Sequence, residues 1–277
     1  MGDADRVFGT VRRKAPGQRG LDQFYAGLLS GADRVLDEQG ASMIIHIVGS
    51  LEEELATFRR WAAAGTVEAI VLSDLLVDDP RPGICADLGL RVVAVGGVEH
   101  DVQASVRVDN DSAMSDAVAF LADLGHRAIG RVSGPGELRH TIARSEAFER
   151  ETAERGIRAL SLEGDYGEAS GRARTAELLD ADPGLTALVF DNDLMAAAAL
   201  DVAAERGIAV PAELSVLAWD DSAVCQLARP ALSAVSRDVR GLGELVARAL
   251  LDADAAAQSV TQGIVIVARD STAAAPA

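Results

Sequence analysis

Asn192 and Asp220 are the residues of this sequence best placed to hold a hydroxylated small molecule. Each follows an apolar run that breaks off into acids and amides. Residues 188–190 end in Asp191-Asn192-Asp193, and residues 214–219 end in Asp220-Asp221. Between them lie a helical pattern and then the breakers Gly207 and Pro211, so 186–221 reads as strand, helix, strand. That unit sets both polar ends at the carboxyl edge of neighbouring parallel strands, where open α/β sheets bind ligands. A side-chain oxygen of Asp191 or Asn192 can instead cap the helix that follows. Capping accounts for Asp191 and Asp193 more readily than for Asn192 and Asp220, because a buried amide or carboxylate at a strand end needs partners.

Arg144, in ARSEAF, lies early in a helix whose Ile142 and Phe148 are available for the core. Its planar fork suits two adjacent hydroxyls or a carboxylate, and a surface salt bridge is the alternative. Tyr166, in the polar loop Gly164-Asp165-Tyr166, is suited to stack on a ligand face. Trp219, which ends its run, either does the same or packs in the core.

Other chemistries find little support. The SGPG loop at 133–136 follows a strand like a phosphate cradle, but GxGxxG is incomplete and GxxxxGK[ST] is absent. His46, His100, His126 and His140 are scattered without metal-ligand spacing, and no GxSxG elbow occurs. Asp220 and Asp221 are adjacent on one strand, so they point opposite ways and cannot flank a glycosidic bond. Cys85 and Cys225 lie far apart with no CxxC, which fits a reduced cytoplasm and argues against zinc. The expectation is a binding protein without metal or cofactor, not an enzyme.

The 277 residues suggest roughly two lobes, and 49% apolar residues suffice to bury both cores. The mainly apolar run 194–204 is interrupted by Asp201 and falls short of a bilayer span. MGDADRVFGTVRRK lacks an apolar signal region, so a cytoplasmic protein is expected. A net charge of −17 repels phosphate backbones, so this chain alone is not expected to bind DNA.

The elements that must position these residues follow in order. A strand over 7–11 leads through Arg12-Arg13-Lys14 into a helix over 22–39 ended by Gly40, then a strand over 43–48. Ser50 with Glu53 forms a capping box for a helix over 51–64, and Gly65 closes it. The strand 69–72 runs out into Ser73-Asp74, and a proline-bearing loop and short helix precede a strand over 91–95. A second copy of the plan opens at 106–108, with a helix capped by Asp109 or Asp111 and ended by Gly125. It continues with strands at 128–132 and 157–161, helices at 139–155 and 170–179, and the strand-helix-strand unit already described. A short strand at 233–235, a helix at 239–251 and a strand at 264–267 finish the chain. Two similar doubly wound parallel-sheet α/β lobes are therefore expected, with a cleft between them as a favoured ligand site.

At this point the residues resemble the effector-binding core of the lactose-repressor family of bacterial transcription regulators, itself similar to type I periplasmic sugar-binding proteins. The motifs that carry the resemblance are VDNDSAMSDAVAFLADLGHRAIGRVSGP (108–135), ARSEAF (143–148), FDNDLMAAAAL (190–200), RGIAVPAELSVLAWDDS (206–222), RPALSAVSRDV (229–239) and ARDSTAAAP (268–276). The resemblance implies two lobes, 6–108 with 239–266 and 109–238 with 267–277, joined by three crossovers. It implies that Arg144, Asn192 and Asp220 contact effector hydroxyls, with Tyr166 as an aromatic wall beside Trp219. It further implies that Asp22, Phe24 and Tyr25, together with Asp74, line the site from the first lobe.

Gly96 stands where members often carry a polar contact, and Arg237 replaces a frequent glutamine. With Arg144, Arg237 would pair with an anion, so an acidic or phosphorylated sugar is expected beside plain sugars. The resemblance also implies a homodimer that controls operator DNA through an N-terminal helix-turn-helix, a segment absent from this chain. A sugar transporter's solute-binding protein is the alternative.

Overall fold

The computed structural model describes residues 6–13, 23–96, 102–252, 260–262 and 264–276. The chain divides into two compact units, residues 1–108 with 238–262 and residues 109–237 with 263–277.

The first unit contains β1 (Arg6–Arg13), α1 (Gln23–Asp37), β2 (Ala41–Val48), α2 (Leu51–Ala64), β3 (Ala69–Leu72), α3 (Arg81–Asp87), β4 (Arg91–Val95) and β5 (Ala104–Val108). The second contains α4 (Asn110–Asp123), β6 (Ala128–Ser133), α5 (Arg139–Glu154), β7 (Arg158–Glu163), α6 (Glu168–Ala181), β8 (Ala187–Phe190), α7 (Asp193–Arg206), β9 (Ser215–Trp219), α8 (Ala223–Leu227) and β10 (Ser233–Arg237). The chain then returns to the first unit for α9 (Val239–Leu251) and β11 (Val260–Gln262), and ends in the second with β12 (Ile264–Val267). The sheet orders are β11-β5-β4-β3-β1-β2 and β12-β10-β9-β8-β6-β7. Among the described residues all strand pairings are parallel except β10 with β12. This is the expected α/β class.

Local chemistry sets the element ends. Ser50 Oγ accepts from Glu53 N at 3.2 Å, while Glu53 Oε2 reaches back to Gly49 N at 2.7 Å, one residue before the usual capping-box partner. Gly65 then takes the left-handed conformation that stops α2. Of the two candidate caps for α4, Asp109 serves, its Oδ1 accepting from Ser112 N at 3.0 Å. The central strands β6, β8 and β9 are buried along their whole length, as a parallel sheet covered on both faces requires. The return of α9 is held by close packing on α1. A Cβ at Gly243 would lie 2.0 Å from Leu28 O, and one at Gly31 would lie 2.0 Å from Arg240 O, so the backbones approach as only glycine permits.

Four features differ from the sequence expectation, the smallest being Asp238, expected in the second lobe but grouped with the first unit. The strand Ile264–Val267 pairs with β10 in the second sheet, so residues 264–266, expected in the first lobe, belong to the second, and the last crossing falls at 262/263. Val260–Gln262 adds an edge strand beside β5, and Ala223–Leu227 forms one extra helical turn. Both are too short for a period to register. The C-terminal segment is pinned at the amino ends of the strands by the buried His126, whose Nε2 lies 3.2 Å from Ala273 O and 3.0 Å from Ser215 Oγ. Burial holds that imidazole below its ordinary pKa, against the opposing pull of the Ala273 carbonyl. Among the described residues no helix is long and apolar enough to cross a membrane.

Candidate functional site: polar clusters at the carboxyl edges of the two sheets

In the second unit the edge is built around a buried ion pair. Arg131, inside the wholly buried β6, sends Nε to Asp191 Oδ1 at 2.9 Å and Nη2 to Asp191 Oδ2 at 2.7 Å, and both side chains are fully buried. Its Nη1 donates to Ser145 Oγ at 2.8 Å, and Gly134 N donates to Asp191 Oδ2 at 3.2 Å. Burial alone would raise the Asp191 carboxyl, but the Arg131 and Arg144 charges override it and hold the group below its ordinary value.

On this base stands Arg144. Its Nε donates to Asn110 Oδ1 at 2.9 Å, and Nη1 donates to Asp191 O at 3.1 Å. The guanidinium carbon lies 3.9 Å from the centre of the Trp219 ring, and only 2% of the residue is exposed. It is a stacked, desolvated cation rather than half of a surface salt bridge. Burial lowers its pKa first of all. Asp191 and Tyr166 counter that, and Arg237 and Asp220 act on its charge in opposite senses. Tyr166, Asp220 and Arg237, all predicted site residues, are thus each close enough to act on the charge of Arg144.

Asp220 sits just past β9 at φ 66, the left-handed region, and its Oδ1 accepts from Arg237 Nε at 2.8 Å. The neighbouring Asp221 points elsewhere, to Arg269 Nη2 at 2.8 Å. Asp193 pairs with Ser222 Oγ, and burial, with a smaller push from Asp220, raises its carboxyl. Tyr166, at φ 68, directs its hydroxyl to His140 Nε2 at 2.8 Å and Thr141 Oγ1 at 3.2 Å. Its ring stacks on His140 at 6.3 Å between centroids. The SGPG loop makes room for that phenol, because a Cβ at Gly134 would lie 2.0 Å from Tyr166 Oη.

At two positions the structure takes one of the alternatives that the sequence left open. Asn192 is the cap of α7: its Oδ1 accepts from Met195 N at 3.0 Å while Nδ2 donates to Tyr166 O at 2.8 Å. It therefore ties the Tyr166 loop to the helix, whereas Asp191, the other candidate cap, belongs to Arg131. Trp219 is fully buried behind Arg144 and supports it rather than presenting a free face.

In the first unit a smaller cluster occupies the corresponding sheet edge. Tyr25 Oη lies 2.6 Å from Ser73 Oγ and donates to Asp74 Oδ2 at 2.9 Å. Arg12 Nη1 meets the same Asp74 oxygen at 2.7 Å and lies over the Tyr25 ring, 4.6 Å from its centre. Phe24 packs edge-on to Tyr25 at 5.3 Å. Asp22 lies outside the described residues. Gly96 has φ 111, which few other residues adopt, so this backbone conformation itself favours glycine there over a polar residue.

Sequence reasoning missed Arg131, Asn110 and Arg12. For Arg131 a signal existed: an arginine within AIGRVS, on a strand buried on both faces, demands a carboxylate. Asn110 passed as part of a helix start, and Arg12 as part of a basic loop.

Fold and cluster together define a periplasmic binding protein-like domain. The family model of that description matches residues 118–272. Over 237 residues the chain is 30% identical to the HTH-type transcriptional regulator CelR of Thermobifida fusca, covering 83% of this chain and 69% of that protein. A LacI family transcriptional regulator from Bifidobacterium animalis subsp. lactis has the same fold at TM-score 0.87 and 31% identity, covering 98% of each chain. A complex of the transcriptional regulator CelR with cellobiose matches at TM-score 0.87 and 27% identity, over 96% of this chain and 85% of that one. The chain belongs to the lactose-repressor (LacI) family of transcriptional regulators and carries the family's effector-binding domain.

Proposed function

We propose that this domain binds a neutral sugar through Arg144, Asp220, Arg237 and Tyr166, and that binding controls the affinity of a homodimeric regulator for operator DNA. The observation that carries the reading is Arg144, a planar donor fork fixed on Trp219 beside the Asp220–Arg237 pair, at the edge where α/β sheets take ligands. A carboxylate and guanidinium groups held in place offer acceptors and donors to the adjacent hydroxyls of a sugar ring. Asn192 acts through Tyr166 and α7, and Trp219 acts through Arg144. Phe24, Tyr25 and Asp74 are proposed effector contacts of the first unit.

The anionic sugar expected from sequence loses one of its two cations. That expectation relied on Arg144 and Arg237 together, and Arg237 is ion-paired with Asp220. Cellobiose, the ligand of the CelR complex, is neutral. Control of DNA follows if effector prefers one of two states of the regulator, since equal affinity for both shifts nothing. The relatives' names as HTH-type regulators favour this over the transporter reading.

Calorimetry with cellobiose, other neutral glucosides and sugar acids tests the proposal. A neutral sugar should bind, and Arg144→Ala should weaken it by about 10- to 150-fold, as expected for hydrogen bonds from a charged group. Tight binding of acids alone, or unchanged affinity in Arg144→Ala, contradicts it.

A further inference from the structure

The segment between β3 and α3 is folded around one guanidinium that the site above does not use. Arg81 is 2% exposed. Its Nε donates to Asp79 Oδ1 at 2.9 Å, its Nη2 to Asp79 Oδ2 at 2.6 Å, and its Nη1 to Glu54 Oε1 at 2.9 Å. Nη2 also reaches the carbonyls of Ser73 at 3.1 Å and Asp74 at 2.8 Å. Asp79 closes the segment from the other side by accepting from the N–H groups of Leu76 and Arg81, each at 3.0 Å. Glu54, buried on α2, has its second oxygen 3.0 Å from Arg13 Nε, at an angle that makes no hydrogen bond.

The two carbonyls that Arg81 holds belong to the residues whose side chains meet Tyr25. Asp74 has φ 48, a conformation a non-glycine residue keeps only where its surroundings impose it. A buried charge cluster of this kind is a weak source of net stability, since apolar packing often does as well. Burial even raises the Glu54 carboxyl against the pull of Arg81. What the cluster does supply is direction, because a rigid fork can bind two carboxylates and two carbonyls at once where an ammonium cannot.

We infer that Arg81, anchored by Glu54 and Asp79, is a positioning residue that fixes the Ser73-Asp74 backbone so that the Asp74 carboxylate meets Tyr25 and Arg12. Its consequence for effector affinity rests on the reading of Asp74 as an effector contact; its consequence for Tyr25 does not.

The chain has two tyrosines, Tyr25 in the first unit and Tyr166 in the second, so 3-fluorotyrosine labelling of the full chain gives one reporter in each. Tyr25→Phe and Tyr166→Phe assign the two fluorine resonances. In Arg81→Lys the Tyr25 resonance should move most of the way to its position in Asp74→Ala, with Tyr166 unmoved. Glu54→Gln should move Tyr25 in the same direction by less, and it carries the test alone if Arg81→Lys does not fold. A Tyr25 resonance that stays at the wild-type position in both variants while Asp74→Ala displaces it overturns the inference, as does one that Asp74→Ala itself leaves in place. Titration with the sugar found by calorimetry separates the two readings. Wild-type affinity in Asp74→Ala removes Asp74 from the effector contacts, while a Tyr25 shift in Arg81→Lys still supports the positioning role.

Discussion

Each unit carries an arginine–aspartate pair at the carboxyl edge of its sheet, but the two pairs sit in different surroundings. Arg131–Asp191 is wholly buried, bidentate, and further tied to Ser145 and Gly134 N. Among the described residues Arg12 and Asp74 meet through Nη1 and Oδ2 at 2.7 Å, with 16% and 23% of the side chains exposed. A desolvated pair is insensitive to salt and costly to break on one side, whereas a partly solvated pair is screened and changes partners cheaply. The second unit therefore has a desolvated base on which Arg144 stands, and the first has a partly solvated carboxylate. Preorganisation of the first kind lowers the ordering cost of binding.

The largest effect should come from breaking the buried pair on one side. Asp191→Asn leaves Arg131 uncompensated inside the sheet and should cost about 3–5 kcal/mol in urea unfolding. The double change Arg131→Met with Asp191→Leu should recover most of that stability yet leave Arg144 misplaced and effector affinity low. Recovery of both would show that the pair has no positioning role.

A second contrast is in the sign of the pH dependence. The folded-state carboxyl of Asp191 lies below its ordinary value, so its stabilisation is present above the unfolded pKa of about 3.9 and is lost as pH falls through the folded one. Glu54 lies above its ordinary value. Its ionisation therefore costs stability once pH passes the folded pKa, and that cost is absent below the unfolded value of about 4.3. As pH falls below about 3.9 the stability difference between wild type and Asp191→Asn should shrink, whereas the Glu54 effect sets in on acidification toward about 4.3. The difference between wild type and Glu54→Gln should move in favour of wild type. Parallel slopes would refute the contrast. Trp61 in the first unit and Trp219 in the second provide separate fluorescence reporters.

The smallest effect belongs to Arg12→Gln, which should change stability by no more than about 1 kcal/mol, since the pair it breaks is partly solvated. A loss as large as that of Asp191→Asn in thermal unfolding would erase the distinction between the units.

Most of the architecture was legible because its signals are local. Apolar runs marked β3, β8 and β9, Ser50 and Asp109 announced their helices, and Gly65 and Gly207 ended theirs in left-handed conformations. The site was legible in its polar endings but not in its pairings. Asp191 finds Arg131 sixty positions away, and Asn192 finds the Tyr166 carbonyl across 26. No periodicity encodes such contacts. The same limit explains why Arg237, which in sequence is simply a cation, could be taken as available to an anion until Asp220 was seen to hold it.

The account is tested most directly at Trp219, the ring beneath Arg144. In a Trp61→Phe protein the single remaining tryptophan should change its emission saturably as a neutral sugar is added, with the midpoint that calorimetry gives, and Arg144→Ala should abolish the response at the same concentrations. A sugar that binds by calorimetry while Trp219 emission stays constant, with Arg144→Ala binding as tightly as the parent, would contradict it.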